Sequence, residues 1–169
     1  MEALRRASLR NIKTFALDLS KDIIPFPNNS IDLITALGVI EHLVNPDNML
    51  REAHRILKPS GYFIISTPNL ASLVNRVLLL LGYQPYNCEV STEILAGVPW
   101  RGRTFAKPAT HIRAFTLRAL KELLKYHGFK IITVRGAPGV EPKELRYIDA
   151  LLSFIPSLAR RLIVLAQKL

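Results

Sequence analysis

The sequence predicts a single α/β domain over residues 1–169, a mostly parallel sheet with flanking helices, and three observations predict it. Short apolar runs of strand length alternate with amphipathic runs at helical spacing. The runs Ile31 to Leu37 and Tyr62 to Thr67 are nearly continuous in apolar residues, as strands covered on both faces are. Helix start and stop signals fall between these runs, at Asn45-Pro46, at Lys58-Pro59-Ser60-Gly61, at Thr116 and at Gly128.

In chain order, Met1 to Arg10 is helix-prone, and Lys13 to Asp18 reads as a short apolar strand ending in an acid. Pro25 to Ser30 is turn chemistry, rich in proline and asparagine. Ile31 to Leu37 follows as a buried strand. Asn45 caps a helix whose stripe is Met49, Leu50, Ala53, Ile56 and Leu57, and Lys58 to Gly61 stops it. Tyr62 to Thr67 is the next strand and Leu70 to Leu81 a helix. Gly82 to Thr110, with its prolines, glycines and aromatics, reads as an insert or lid. Thr116 to His127 is an amphipathic helix with the stripe Leu117, Leu120, Leu123 and Leu124. Phe129 to Val134 is a strand, Pro142 to Phe154 a helix, and Leu162 to Ala166 a last strand, expected to run antiparallel. Ligands of such sheets sit at the carboxyl ends of the strands, which puts Asp18, Gly38 to His42 and Thr67 to Asn69 around one crevice.

Bulk properties narrow the class. With 49% apolar and 21% charged residues, the chain has the composition of a folded domain and not of a disordered one. The single cysteine, Cys88, excludes an internal disulfide and a cysteine-rich zinc site, and it suits a reducing cytoplasm. No metal-ligand set is read from the sequence. Purely apolar stretches such as Val77 to Leu81 are too short to span a bilayer. The net charge is +10, and Arg101 to Arg135 carries nine Lys or Arg against the one acid Glu122. That segment fits either a solvated basic face or an attraction for anionic substrates, nucleic acid or a lipid surface.

The run Asp18-Leu-Ser-Lys-Asp-Ile-Ile-Pro-Phe-Pro-Asn-Asn-Ser-Ile-Asp-Leu-Ile-Thr-Ala-Leu-Gly-Val-Ile-Glu-His-Leu43 resembles class I S-adenosylmethionine-dependent methyltransferases. The likeness is greatest to the small-molecule group that includes ubiquinone and menaquinone biosynthesis enzymes. Arg55 to Gly61, Phe63 to Asn69, His111 to Thr116 and Leu123 to Phe129 continue it in register. The resemblance covers about residues 10 to 135 and implies a Rossmann-like fold, S-adenosylmethionine as cofactor and a small-molecule or lipid-like methyl acceptor.

Position by position, the resemblance implies that Asp18 lies near the adenine amino group, a donor that an acid can accept from. Leu19 packs on the ring. Leu37, Gly38 and Val39 lie beside the methionine portion. Methyl transfer from a sulfonium needs mainly alignment in a water-poor pocket. Where the acceptor must lose a proton, His42 and His111 are the candidate bases. Each also has a bland reading: Glu41-His42 as residues that orient a loop, His111 as a hydrogen-bonded loop residue, Asn69 as turn chemistry. Tyr83, Tyr86 and Trp100 either line an acceptor pocket or fasten the insert down.

One departure stands out. The family's glycine-rich loop and the acid that holds the ribose hydroxyls have no counterpart before Asp18, since the glycines begin at Gly38. The expectation is a fold truncated at its N-terminal βαβ unit, whose open sheet edge is covered by a second copy or a partner chain. A nucleic-acid substrate is disfavoured. Leu37-Gly38-Val39-Ile40 stands where an Asn/Asp-Pro-Pro-aromatic motif would, and the basic segment lacks interleaved aromatics. The alternative to an enzyme is a catalytically inactive relative acting through a partner or as an oligomer.

Overall fold

Four strands form one sheet in the order β1–β2–β4–β3, with β1 Ile31–Leu37, β2 Leu57–Pro68, β3 Phe129–Ala137 and β4 Arg161–Lys168. They belong to a computed structural model that describes residues 6, 7, 9–99, 108–139 and 145–169. β1 and β2 pair in parallel, whereas β4 pairs antiparallel with both β2 and β3. β1, β2 and β3 therefore share one direction, and the last strand runs against them between β2 and β3. The mixed α/β fold with one antiparallel final strand is the one that the sequence predicts.

The helices are α1 Pro46–Ile56, α2 Leu73–Leu80, α3 Leu117–Tyr126 and α4 Arg146–Leu152. Local chemistry sets their starts. The Asn45 side chain accepts the Asn48 N–H with Pro46 at the first position, and Thr116 Oγ1 accepts the Ala119 N–H at 3.2 Å. α1 buries Met49, Leu50, Ala53 and Ile56, and α3 buries Leu120 and Leu124. These residues close over Leu57, Phe63, Ile65, Phe129, Leu162 and Val164 of the sheet, all fully buried. Each such side chain contributes about 1.5–3 kcal/mol by leaving water. Within that core the Phe63 and Phe129 rings lie 5.4 Å apart, across the two strands that flank β4.

Several expectations need correcting. Lys13 to Asp18 is not a strand: residues 12–17 form no ladder with any described strand, and Asp18 opens a turn. β1 is not buried on both faces. Only Ala36 is buried, while Leu33 and Leu37 are 51% and 60% exposed, because β1 is the sheet edge among the described residues. β2 starts at Leu57, so Lys58 to Gly61 both ends α1 and bulges within a strand. Gly61 is required there, since a Cβ would come within 2.9 Å of the Lys58 carbonyl oxygen and 3.2 Å of that of Asp32.

The described part of the expected insert, residues 82–99 and 108–110, holds no helix or strand. It is fastened by Asn75, whose amide bonds both the N–H and the carbonyl of Tyr86, and by the Gln84 N–H donating to Gly97. α4 covers only Arg146 to Leu152 of the helix expected from Pro142 to Phe154, and residues 140–144 lie outside the described residues, as do Met1 to Arg5. No described helix is long and apolar enough to cross a membrane.

Candidate active site at the carboxyl end of β1

The chain leaves β1 through Gly38, whose N–H donates to Ser66 of β2 and whose φ of +67° suits glycine. A single 3-10 turn, Ile40–His42, follows and buries Ile40 and Glu41. The Glu41 carbonyl accepts two N–H groups, from Ile112 at 2.8 Å and Arg113 at 2.9 Å. Those two bonds bring His111 onto the turn, and its ring stacks on that of His42 with centroids 4.8 Å apart and planes 27° from parallel. The two histidines named from the sequence as candidate bases thus meet face to face, 69 residues apart in the chain.

Each ring is fixed by an acceptor. His42 Nδ1 donates to the Thr110 carbonyl at 3.3 Å, and His111 Nδ1 lies 3.0 Å from both carboxylate oxygens of Glu89. Each ring thus turns Nδ1 toward an oxygen acceptor, and Nε2 takes no part in these contacts. Glu41 lies beside them at 3% exposure, and its Oε2 has no hydrogen-bond partner among the described residues. Glu41 and Glu89 are members of this cluster that the sequence reading did not assign. The adjacency Glu41-His42 at a strand end was a usable signal. Glu89 gave none, because its place follows from the path of an irregular segment.

Asp18 and Leu19 belong to a separate loop, held by the outer face of α1. Asn48 Nδ2 donates to the Leu19 and Asp22 carbonyls, both at 3.1 Å. The Asp18 carboxylate is exposed and accepts the Ser20 N–H at 3.0 Å, with Lys21 at 3.5 Å. These contacts, the Ser20 N–H foremost, hold its pKa below the ordinary carboxylate value. An ionised, solvent-facing acceptor of this kind fits an exocyclic amino group. Leu37 is exposed at the strand end and Val39 half-buried. No glycine precedes Gly38 in the sequence.

The aromatic residues divide. Tyr86 lies under Arg160, with the guanidinium 5.0 Å from its ring centroid, and Arg160 pairs with Asp149 at 2.9 Å. That contact fastens the insert. Tyr83 is exposed, and Trp100 lies outside the described residues. Asn69 is more than a turn residue: its amide donates to the Ala159 and Ser157 carbonyls and its oxygen accepts the Ala71 N–H, so it knits the end of β2 to the segment before β4.

Residues 2–134 match the family described as "Methyltransferase domain". Among curated relatives, a mitochondrial 2-methoxy-6-polyprenyl-1,4-benzoquinol methylase of Bos taurus is 32% identical over 114 residues, 65% of this chain and 33% of that protein. A ubiquinone/menaquinone biosynthesis C-methyltransferase of Pseudoalteromonas translucida is 37% identical over 49 residues, 29% of this chain and 20% of that protein. The chain thus spans a third or less of the length of these relatives. A solved S-adenosylmethionine-dependent methyltransferase of Thermotoga maritima superposes with a TM-score of 0.67 at 20% identity, covering 99% of this chain and 70% of that one, which shows the fold.

Proposed function

This chain belongs to the class I S-adenosylmethionine-dependent methyltransferases, in their ubiquinone-methylase-like branch, and from that premise we propose that it transfers a methyl group to a small, lipid-like acceptor. The observation that carries the reading is the stacked His42–His111 pair beside Gly38, at the carboxyl end of a strand where ligands of such sheets sit. The family's cofactor supplies an already activated methyl group. The protein's task is then to align, to exclude water and to receive a proton.

In this reading Asp18 accepts from the adenine amino group while Leu19 covers the ring. Gly38 and Val39 let the methionine end approach the backbone closely. The Nε2 lone pair of His42, on the more exposed of the two rings, receives the acceptor's proton. Glu89 keeps His111 oriented, and the stack keeps His42 in place. The half-buried insert around Tyr83 and Tyr86 shapes the acceptor's side.

Calorimetric titration of the purified chain with S-adenosylmethionine and with S-adenosylhomocysteine tests the cofactor half. Micromolar binding that weakens at least tenfold in Asp18→Ala is expected. A folded chain that gives no heat up to millimolar cofactor would remove the enzyme reading for this chain by itself.

A further inference from the structure

We propose that Glu41, His42 and His111 form a binding site for a divalent transition-metal cation, with Glu89 as the carboxylate that orients His111. One ligand atom from each of the three residues can be chosen so that all lie within 4.8 Å of one another. Ligands sharing one ion at about 2.1 Å stand roughly 3–4 Å apart, so loading requires the three atoms to draw together, and the stack of the exposed His42 on His111 to open.

Three features, the last two sharing the His111–Glu89 contact, point to a cation and not to a plain polar cluster. The Glu41 carboxylate is buried, and Oε2 has no donor among the described residues. Leaving such an oxygen unmatched costs on the order of 1–3 kcal/mol or more, which a bound cation offsets. Both imidazoles turn Nδ1 to an acceptor and keep Nε2 out of those contacts, which leaves Nε2 as the atom of each ring that can ligate. The Glu89–His111 contact at 3.0 Å is the outer-carboxylate arrangement that fixes the tautomer and raises the basicity of a ligating histidine. The site is also preorganised. Glu41 and His42 share one turn, and the two N–H bonds into the Glu41 carbonyl clamp the segment bearing His111.

Two imidazoles and one carboxylate favour zinc, cobalt, nickel or ferrous iron over magnesium or calcium, which prefer an all-oxygen set. The inference stands on ion binding and not on methyl transfer. In the ion-loaded chain the imidazoles are ligands, so the role of His42 as a free base belongs to the metal-free form.

The test is a Co2+ titration of the metal-free, folded chain followed by visible absorption, with Zn2+ calorimetry as its companion. Saturable 1:1 binding is expected, with His42→Ala and Glu41→Gln each weakening it at least tenfold. Glu89→Gln should weaken it about 10-fold to 100-fold. His127→Gln, which changes a histidine paired with Asp47 and outside the set of three, should bind as the wild type. His42 is exposed, so its alanine variant keeps the fold whatever Glu41→Gln does; circular dichroism checks both. No saturable binding by the folded chain, or undiminished binding by His42→Ala, overturns the proposal.

Discussion

Replacing Arg55 with methionine should loosen the loop from Ile24 to Asn28 while leaving the core intact. Arg55 stands on the outer face of α1 and is 28% exposed. It donates to both Glu52 oxygens at 2.8 and 2.6 Å, to the Ile24 carbonyl at 2.8 Å, and to Phe26 and Asn28 at 2.9 Å. Glu52 in turn accepts the Ile24 N–H at 2.8 Å. Hydrogen bonds to a charged group contribute about 1.5–3 kcal/mol each when well shielded. Water replaces part of each at this exposure, and an exposed ion pair alone contributes only about 0.2–1 kcal/mol. Methionine retains much of the apolar stem. The net loss should be about 2 kcal/mol, or roughly a 4–8 °C fall in melting temperature for a domain of this size. Thermal and urea unfolding would measure it, and a cycle with Glu52→Gln should show coupling of at least about 0.5 kcal/mol. A melting temperature within 1 °C of the wild type would refute the idea that α1 holds this loop through Arg55.

Two further outcomes follow from the same contacts. Gly128→Ala should cost about 2–3 kcal/mol in urea unfolding, because φ is +81° and the new Cβ would lie 2.8 Å from His54 Nε2; a loss of about 1 kcal/mol would mean that His54 swings away freely, and one under about 0.5 kcal/mol would refute the left-handed strain as well. Stability should also fall as pH falls, in two steps. Burial, then Lys168 and His127, hold the His54 pKa below its ordinary 6.5, so the unfolded chain binds that proton more tightly. Its contribution is complete above pH 6.5 and is lost on acidification below it. Glu52 is held below its ordinary 4.5 mainly by Arg55, so its contribution is complete above pH 4.5 and is lost as pH falls through the folded value. In denaturant titrations across pH, His54→Phe should remove the upper step and Arg55→Met the lower one. An unchanged profile in either variant counts against its assignment.

What the sequence made legible is what depends on neighbours in the chain. Asn45-Pro46 and Thr116 mark helix starts because a capping side chain bonds an N–H three residues on. The stripes of α1 and α3 follow from 3.6-residue periodicity. What stayed hidden is non-local. Lys13 to Asp18 is apolar enough for a strand, but a strand exists only where another strand takes its hydrogen bonds. Ile31 to Leu37 reads as buried, and its exposure comes from standing at the edge, a fact of sheet order. The candidate site divides in the same way. His42 and His111 could be named from residue type, whereas their stacking depends on the Glu41 carbonyl receiving the Ile112 and Arg113 N–H groups.

The two halves of the site are therefore built by different means. Asp18 and Leu19 owe their position to the polar face of α1, where Asn48, Glu52 and Arg55 reach the backbone of one loop. The histidine cluster owes its position to the end of β1, where Gly38 turns the chain and Glu41 clamps residues 111–113. None of the contacts described for the loop involves a residue of the cluster. α1 couples the loop to the core directly, since the same helix buries Met49, Leu50, Ala53 and Ile56. The cluster meets the core through Ile40 and Leu43 on either side of Glu41 and His42, but its rings rest on a carbonyl, a carboxylate from an irregular segment, and each other. Rigidity on the Asp18 side comes from a packed helix. Rigidity on the histidine side comes from hydrogen bonds around a buried, unmatched carboxylate oxygen, which is where a bound cation would contribute most.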